Sequence, residues 1–121
     1  MSMTTSVLTP RVLEVRGRPV KVDAEGYLLD LGDWSEDFAR VLARREGLAL
    51  TDEHWQVIRF LREYWQEHGV QPQVRVMIRH FAQHWGPGRG NNHYLHELFP
   101  VGGPQKQGNR LAGLLRTKGE H

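Results

Sequence analysis

From Val12 to Val22 the chain reads VLEVRGRPVKV, with β-branched residues on both sides of Arg16-Gly17-Arg18. This is the pattern of a short hairpin with glycine in its turn. The segment DAEGYLLDLGDW follows as a loop, and Trp34 stands just ahead of Ser35, a residue suited to cap a helix. Phe38, Val41 and Leu42 then recur at helical spacing, with Glu36 and Asp37 in the first turn and Arg44 and Arg45 in the last, as a helix dipole favours. Gly47 closes that helix. A longer one is expected from the cap Thr51 to Gly69, with Trp55, Ile58, Leu61 or Arg62, and Trp65 along its apolar stripe. Pro72 opens a third, ending at Trp85, whose apolar face is Val74, Met77, Ile78 and Phe81; Arg75 and Arg79 lie four apart on another face.

Residues 86–92, GPGRGNN, hold four helix breakers and two asparagines, so a mobile loop is expected there. Asn92 then caps a short turn of helix, HYLHELF, which Pro100 stops. A last helix runs from Pro104 to Gly113, and LLRTKGEH trails behind it. The sum is one mainly helical α+β domain over residues 1–121: an N-terminal hairpin, about five helices with a helix-turn-helix-like core, a flexible leader at 1–10 and a C-terminal arm at 114–121.

Composition narrows the chemistry. The 121 residues contain no cysteine, which removes disulfides, thiolate metal ligands, thiol nucleophiles and persulfide carriage together. Charge is nearly balanced, 16 Lys+Arg against 14 Asp+Glu. The excess sits at the ends, where Arg11, Arg16, Arg18 and Lys21 face only Glu14, and Lys106, Arg110, Arg116 and Lys118 face only Glu120. A dedicated nucleic-acid binder presents a larger excess on one stripe. No apolar run is long enough for a signal peptide or a membrane span, so a cytoplasmic protein without a membrane partner is expected.

His80 and His84 are four apart and His93 and His96 three apart, a set of imidazoles that zinc can use. The pattern lacks the glutamate of HExxH and any thiolate, so ordinary surface or half-buried histidines and no metal are expected. Serine occurs only at Ser2, Ser6 and Ser35, and no triad is visible. Glu63 and Glu67 share a helix face with Arg59, the arrangement of solvated ion pairs rather than of paired acid and base. The glycines of residues 86–90 do not follow a strand and fail the test for a dinucleotide site. No cofactor is implied. The pair of helices around Gly69-Val70-Gln71 can be read as a DNA-binding unit, with Arg75 and Arg79 on the second helix and the basic termini beside it.

Read in order, Gly26-Tyr27-Leu28, Trp34, Glu46-Gly47, Leu50-Thr51, His54-Trp55, Leu61-Arg62, Tyr64, Gly69, Pro72, Arg75, Arg79, Gly90-Asn91, Tyr94-Leu95, Leu98-Phe99-Pro100, Gly103-Pro104, Gln107 and Ala112-Gly113-Leu114 resemble the DsrC/TusE family of sulfur-relay proteins, which includes the gamma subunit of dissimilatory sulfite reductase. The resemblance implies a hairpin, a helical core and a mobile C-terminal arm whose penultimate cysteine carries sulfur. Some members pair it with a second cysteine upstream. Counting back from the last residue, Glu120 and Asn109 occupy those two positions here, and neither can hold sulfur. The AGLPKP of the family is replaced by Ala112-Gly113-Leu114-Leu115-Arg116-Thr117, without the prolines that pre-extend an arm.

The resemblance therefore implies a non-enzymatic docking or regulatory partner of sulfur-transfer or sulfite-reductase-like proteins, with Arg75, Arg79, Lys106, Arg110, Arg116 and Lys118 as contacts to a partner or to nucleic acid. A DNA-binding regulator and a scaffold in tRNA 2-thiouridine synthesis are the two alternatives.

Overall fold

A computed structural model describes residues 11–115. The leader and the arm residues Arg116, Lys118 and Glu120 lie outside them.

Strands β1 (Arg11–Val15) and β2 (Arg18–Val22) pair antiparallel, with Leu13 opposite Val20 and Val15 opposite Arg18. Arg16 and Gly17 both take positive φ, 53° and 78°, which is the type I′ geometry whose twist matches that of the strands it joins. Period-two alternation puts Leu13, Val15, Val20 and Val22 on one buried face, and that face packs on the first helix. The Asp23 carboxylate then accepts from the amides of Glu25, Gly26 and Tyr27 and turns the chain back.

Five helices follow: α1 (Glu36–Arg45), α2 (Asp52–His68), α3 (Val74–Trp85), α4 (Asn92–Leu98) and α5 (Gly103–Leu111). Ser35 Oγ accepts from the Phe38 amide and caps α1, as its position foretells. Thr51 caps α2 in a reciprocal box with His54. Three starts differ from the sequence expectation, and one of them is that of α5, which begins at Gly103, one residue ahead of Pro104. Helix α3 begins at Val74 with Gln73 as its cap residue, two places beyond the buried Pro72. Helix α4 is capped by Asn91, whose Oδ1 accepts from the Tyr94 amide, and Asn92 is already helical.

The glycine-rich stretch is not a loose loop. Gly90 donates to the Gly86 carbonyl at 2.8 Å, and the Asn91 amide group donates to the carbonyls of Pro87 and Gly88. Arg89 pairs with Glu53 on α2. Gly90 lies so close to α3 that a Cβ there would sit 2.1 Å from the Ala82 nitrogen. The glycines permit a tight, internally bonded turn held against two helices.

Phe38, Leu42, Ile58, Leu61, Met77, Phe81, Leu95, Phe99 and Leu111 make the centre of the core, each at most 2% exposed. The helix most deeply enclosed is the least apolar one. In α5, GPQKQGNRL, the residues Gly103, Pro104, Gln107, Gly108, Asn109, Arg110 and Leu111 are all buried. Gly108 brings the α5 backbone up to Leu61, and α1, α2 and α4 pack around it.

Candidate functional site at the arm exit

Helix α5 ends in a Schellman arrangement: the Leu114 amide donates to the Asn109 carbonyl and the Gly113 amide to that of Arg110, with Gly113 at φ +72°. This turn swings the chain out of the core at Leu114, which is still buried, to Leu115, which is 54% exposed. Three side chains from three parts of the fold grip the emerging main chain. The Trp34 Nε1–H donates to the Leu111 carbonyl at 2.8 Å, Arg62 Nη1 to that of Ala112 at 2.8 Å, and Gln71 Nε2 to that of Leu115 at 2.7 Å. The Arg62 guanidinium also lies 3.9 Å from the centre of the Trp34 indole, so the two clamps brace each other. Gly113 fits beneath that indole, where a Cβ would come within 2.3 Å of Cδ1.

Behind the exit, Arg110 donates through Nε and Nη2 to both carboxylate oxygens of Glu46 at 3.0 and 3.1 Å, and through Nη2 to the Val101 carbonyl at 2.7 Å. Gln107 completes the network, donating to Glu46 and accepting from the Val101 amide. The pair is nearly closed to water, with side chains 7% and 11% exposed. It ties the end of α1 to α5 and fixes the direction in which the chain leaves α5.

His54 holds the other end of this frame. Its Nδ1 accepts from the Thr51 amide, and Nε2 donates to the Leu98 carbonyl at 2.6 Å. Burial holds its imidazole below the ordinary value, and the Leu98 bond opposes that shift in part.

The match to known proteins covers this whole frame. The family described as "DsrC like protein" matches residues 14–119. The chain belongs to the DsrC-like family. The sulfurtransferase TusE of Pectobacterium atrosepticum is 48% identical over 103 residues, covering 85% of this chain and 94% of the relative. That of Yersinia pestis is 47% identical over the same shares. Among solved structures, DsrC of Allochromatium vinosum superposes with a TM-score of 0.81 at 42% identity, covering 92% of this chain and 98% of that one. The oxidized gamma subunit of dissimilatory sulfite reductase from Archaeoglobus fulgidus gives 0.80 at 38%, covering 90% and 98%.

Within this DsrC-like frame the residues singled out from sequence separate. Asn109 is fully buried on α5. Glu120, Arg116 and Lys118 fall outside the described residues. Arg110, expected as a surface contact, is instead a core residue, because Glu46 lies beside it across 64 positions of sequence. Lys106 is half-buried, and Arg75 and Arg79 are exposed on α3. Arg59 does not pair with Glu63; its guanidinium lies over Trp55. His80 and His84 stack at 4.1 Å and His93 pairs with Glu97, so the histidine pairs do not converge; no metal-binding group of three or more occurs among the described residues. No helix among them is long and apolar enough to cross a membrane. Trp34, Arg62 and Gln71 were legible only as the residue ahead of a helix cap, a stripe residue and a loop residue. Their common target is main chain, which leaves no mark in side-chain pattern.

Proposed function

We propose that this DsrC-like chain docks on sulfur-transfer or sulfite-reductase-like proteins without itself carrying sulfur. The observation behind the reading is the coexistence of a complete arm-exit frame with the absence of cysteine from all 121 residues. Sulfane sulfur is taken up by a thiolate, and hydroxyl, imidazole or carboxylate groups do not replace it in that exchange. A body that resembles a relay component but has no thiol competes with carriers for the same surface.

The test is a reconstituted relay: a persulfide-donating sulfurtransferase, a cysteine-bearing TusE as acceptor, and this chain added in rising amount. Expected are no sulfur gain on the wild-type chain by intact mass, dose-dependent slowing of transfer to TusE, and sulfur gain by Glu120→Cys. Sulfur on the wild-type chain, or no slowing even in large excess, overturns the reading. A chain ending after Leu115 keeps the whole core, because Leu114 is buried.

The DNA-binding alternative rests on Arg75 and Arg79, which are exposed on α3 and form no ion pair with another described residue. It requires duplex binding that weakens steeply with salt and is lost in the double variant Arg75→Ala/Arg79→Ala.

A further inference from the structure

A second surface lies on the seam between α1 and α2. A cleft of about 510 Å³ opens between the last turns of α1, residues 47–50 and the start of α2. Ala43, Leu48, Leu50 and Trp55 give it an apolar floor, and Arg40 and Arg44 form its rim. Arg59, beside the cleft rather than in its lining, brings a third guanidinium to within 6.0 Å of the Trp55 ring centre, while Arg40 lies at 5.1 Å. No acidic residue lines the cleft. Arg40 is partly neutralised by Glu36 and Asp37, whereas Arg44 and Arg59 form no ion pair with a described residue.

We infer that this cleft binds an extended acidic peptide of a partner protein, with an apolar side chain in the floor and carboxylates on the rim arginines. Three features select that occupant. The cationic rim above an apolar floor matches a segment in which acidic and apolar residues alternate, and the volume is that of a binding site rather than a packing gap. Leu48 to Leu50 run without regular structure along one wall, and the amides of Ala49 and Leu50 donate to no described residue, which leaves main-chain groups for an extended strand. Single-stranded nucleic acid fits less well, because a guanidinium group from each of two helices lies within 6.0 Å of the Trp55 ring centre and competes with a base for stacking there. The chain's own undescribed ends are poor candidates, since residues 1–10 and 116–121 together contain one acid, Glu120.

The cleft follows the same seam as the arm exit. Trp55 and Arg62 are seven residues apart on α2, about 10 Å along its axis, so a partner held here by a peptide stands beside the exit point at Ala112. The inference is independent of what the arm carries, and its test leaves the arm out of the readout.

The probe is a fluorescein-labelled peptide alternating Glu or Asp with Phe or Leu, titrated into the full chain and into the chain ending at Leu115. Controls are a Lys-for-Glu version of the peptide and a single-stranded oligouridine. Anisotropy is read alongside amide and indole NMR shifts. Expected are binding of the acidic peptide to both chains, shifts centred on Gly47–Leu50 and the Trp55 indole, and at least a tenfold loss of affinity in Arg44→Glu and Arg59→Glu. Ala49→Trp, which narrows the cleft without touching a charge, is expected to weaken binding as well. Equal binding of the basic peptide, stronger binding of the oligouridine, or no shift at these residues at millimolar peptide would each overturn the inference.

Discussion

The indole of Trp34 donates to the main-chain carbonyl of Leu111 across 77 residues of sequence, and in doing so fixes the point at which the chain leaves the core. The contact joins the segment ahead of α1 to the end of α5, so the entry of the first helix and the exit of the last are set by one side chain. Gly113 is the geometric partner of this arrangement, because the indole occupies the place of its missing Cβ.

The comparison of Gly113 with Gly69 isolates that contact. Both have φ near +73°, but nothing lies within 4 Å of a Cβ added at Gly69. Gly69→Ala is expected to cost only the left-handed backbone penalty, about 1 to 2 kcal/mol. Gly113→Ala adds the collision with Trp34 and is expected to cost about 1 to 3 kcal/mol more. Urea denaturation of the two variants measures the difference; equal costs would remove Trp34 from the account.

The Glu46–Arg110 pair is expected to behave as one unit. Removing either charge leaves the other enclosed and unpaired, so Arg110→Met or Glu46→Leu alone costs about 3 to 5 kcal/mol. The double variant is expected to be less destabilised than the two single costs added, with a coupling of about 2 kcal/mol. A double-mutant cycle by chemical denaturation checks this, and additivity would show that the two groups act separately.

Much of the fold was legible because its determinants are local. Ser35, Thr51 and Gly47 mark helix ends within a few residues, and Arg16-Gly17 carries its own turn geometry. Arg110 was not legible. A cation on a polar, glycine-containing helix looks solvent-facing until an acid 64 positions away is brought to it. The same holds for α5 as a whole: its small residues let neighbouring helices close over it, a property of fit rather than of hydropathy. The glycine-rich segment misled in the opposite sense, because glycine marks close approach of backbone as readily as freedom of movement.

That segment yields its own prediction. Gly88→Ala meets nothing within 4 Å and is expected to change stability by less than about 0.5 kcal/mol. Gly90→Ala drives a methyl group into the α3 backbone and is expected to cost at least about 3 kcal/mol. Thermal melting of the two proteins separates a mobile loop, which would tolerate both, from the packed turn.

Stability is expected to fall in mild acid. The imidazoles of His54 and His80 are both held below their ordinary value, chiefly by burial. The folded chain therefore binds fewer protons than the unfolded one below about pH 6.5. Their contribution is complete above that pH and is lost as pH falls through the depressed folded values. Chemical denaturation between pH 8 and 5 should show a larger loss for the wild type than for His54→Gln; identical slopes would exclude His54 as a source.

The grip on Leu111, Ala112 and Leu115 is a grip on carbonyl oxygens, which every residue possesses. Seat and cargo are consequently free to change at different rates. A segment of another sequence, with or without thiols, can follow Leu115 while the body holds its root in the same way, so long as position 113 remains glycine. In a lineage of such proteins, the chemistry at the tip can be lost or regained by a few substitutions that the folded body never registers.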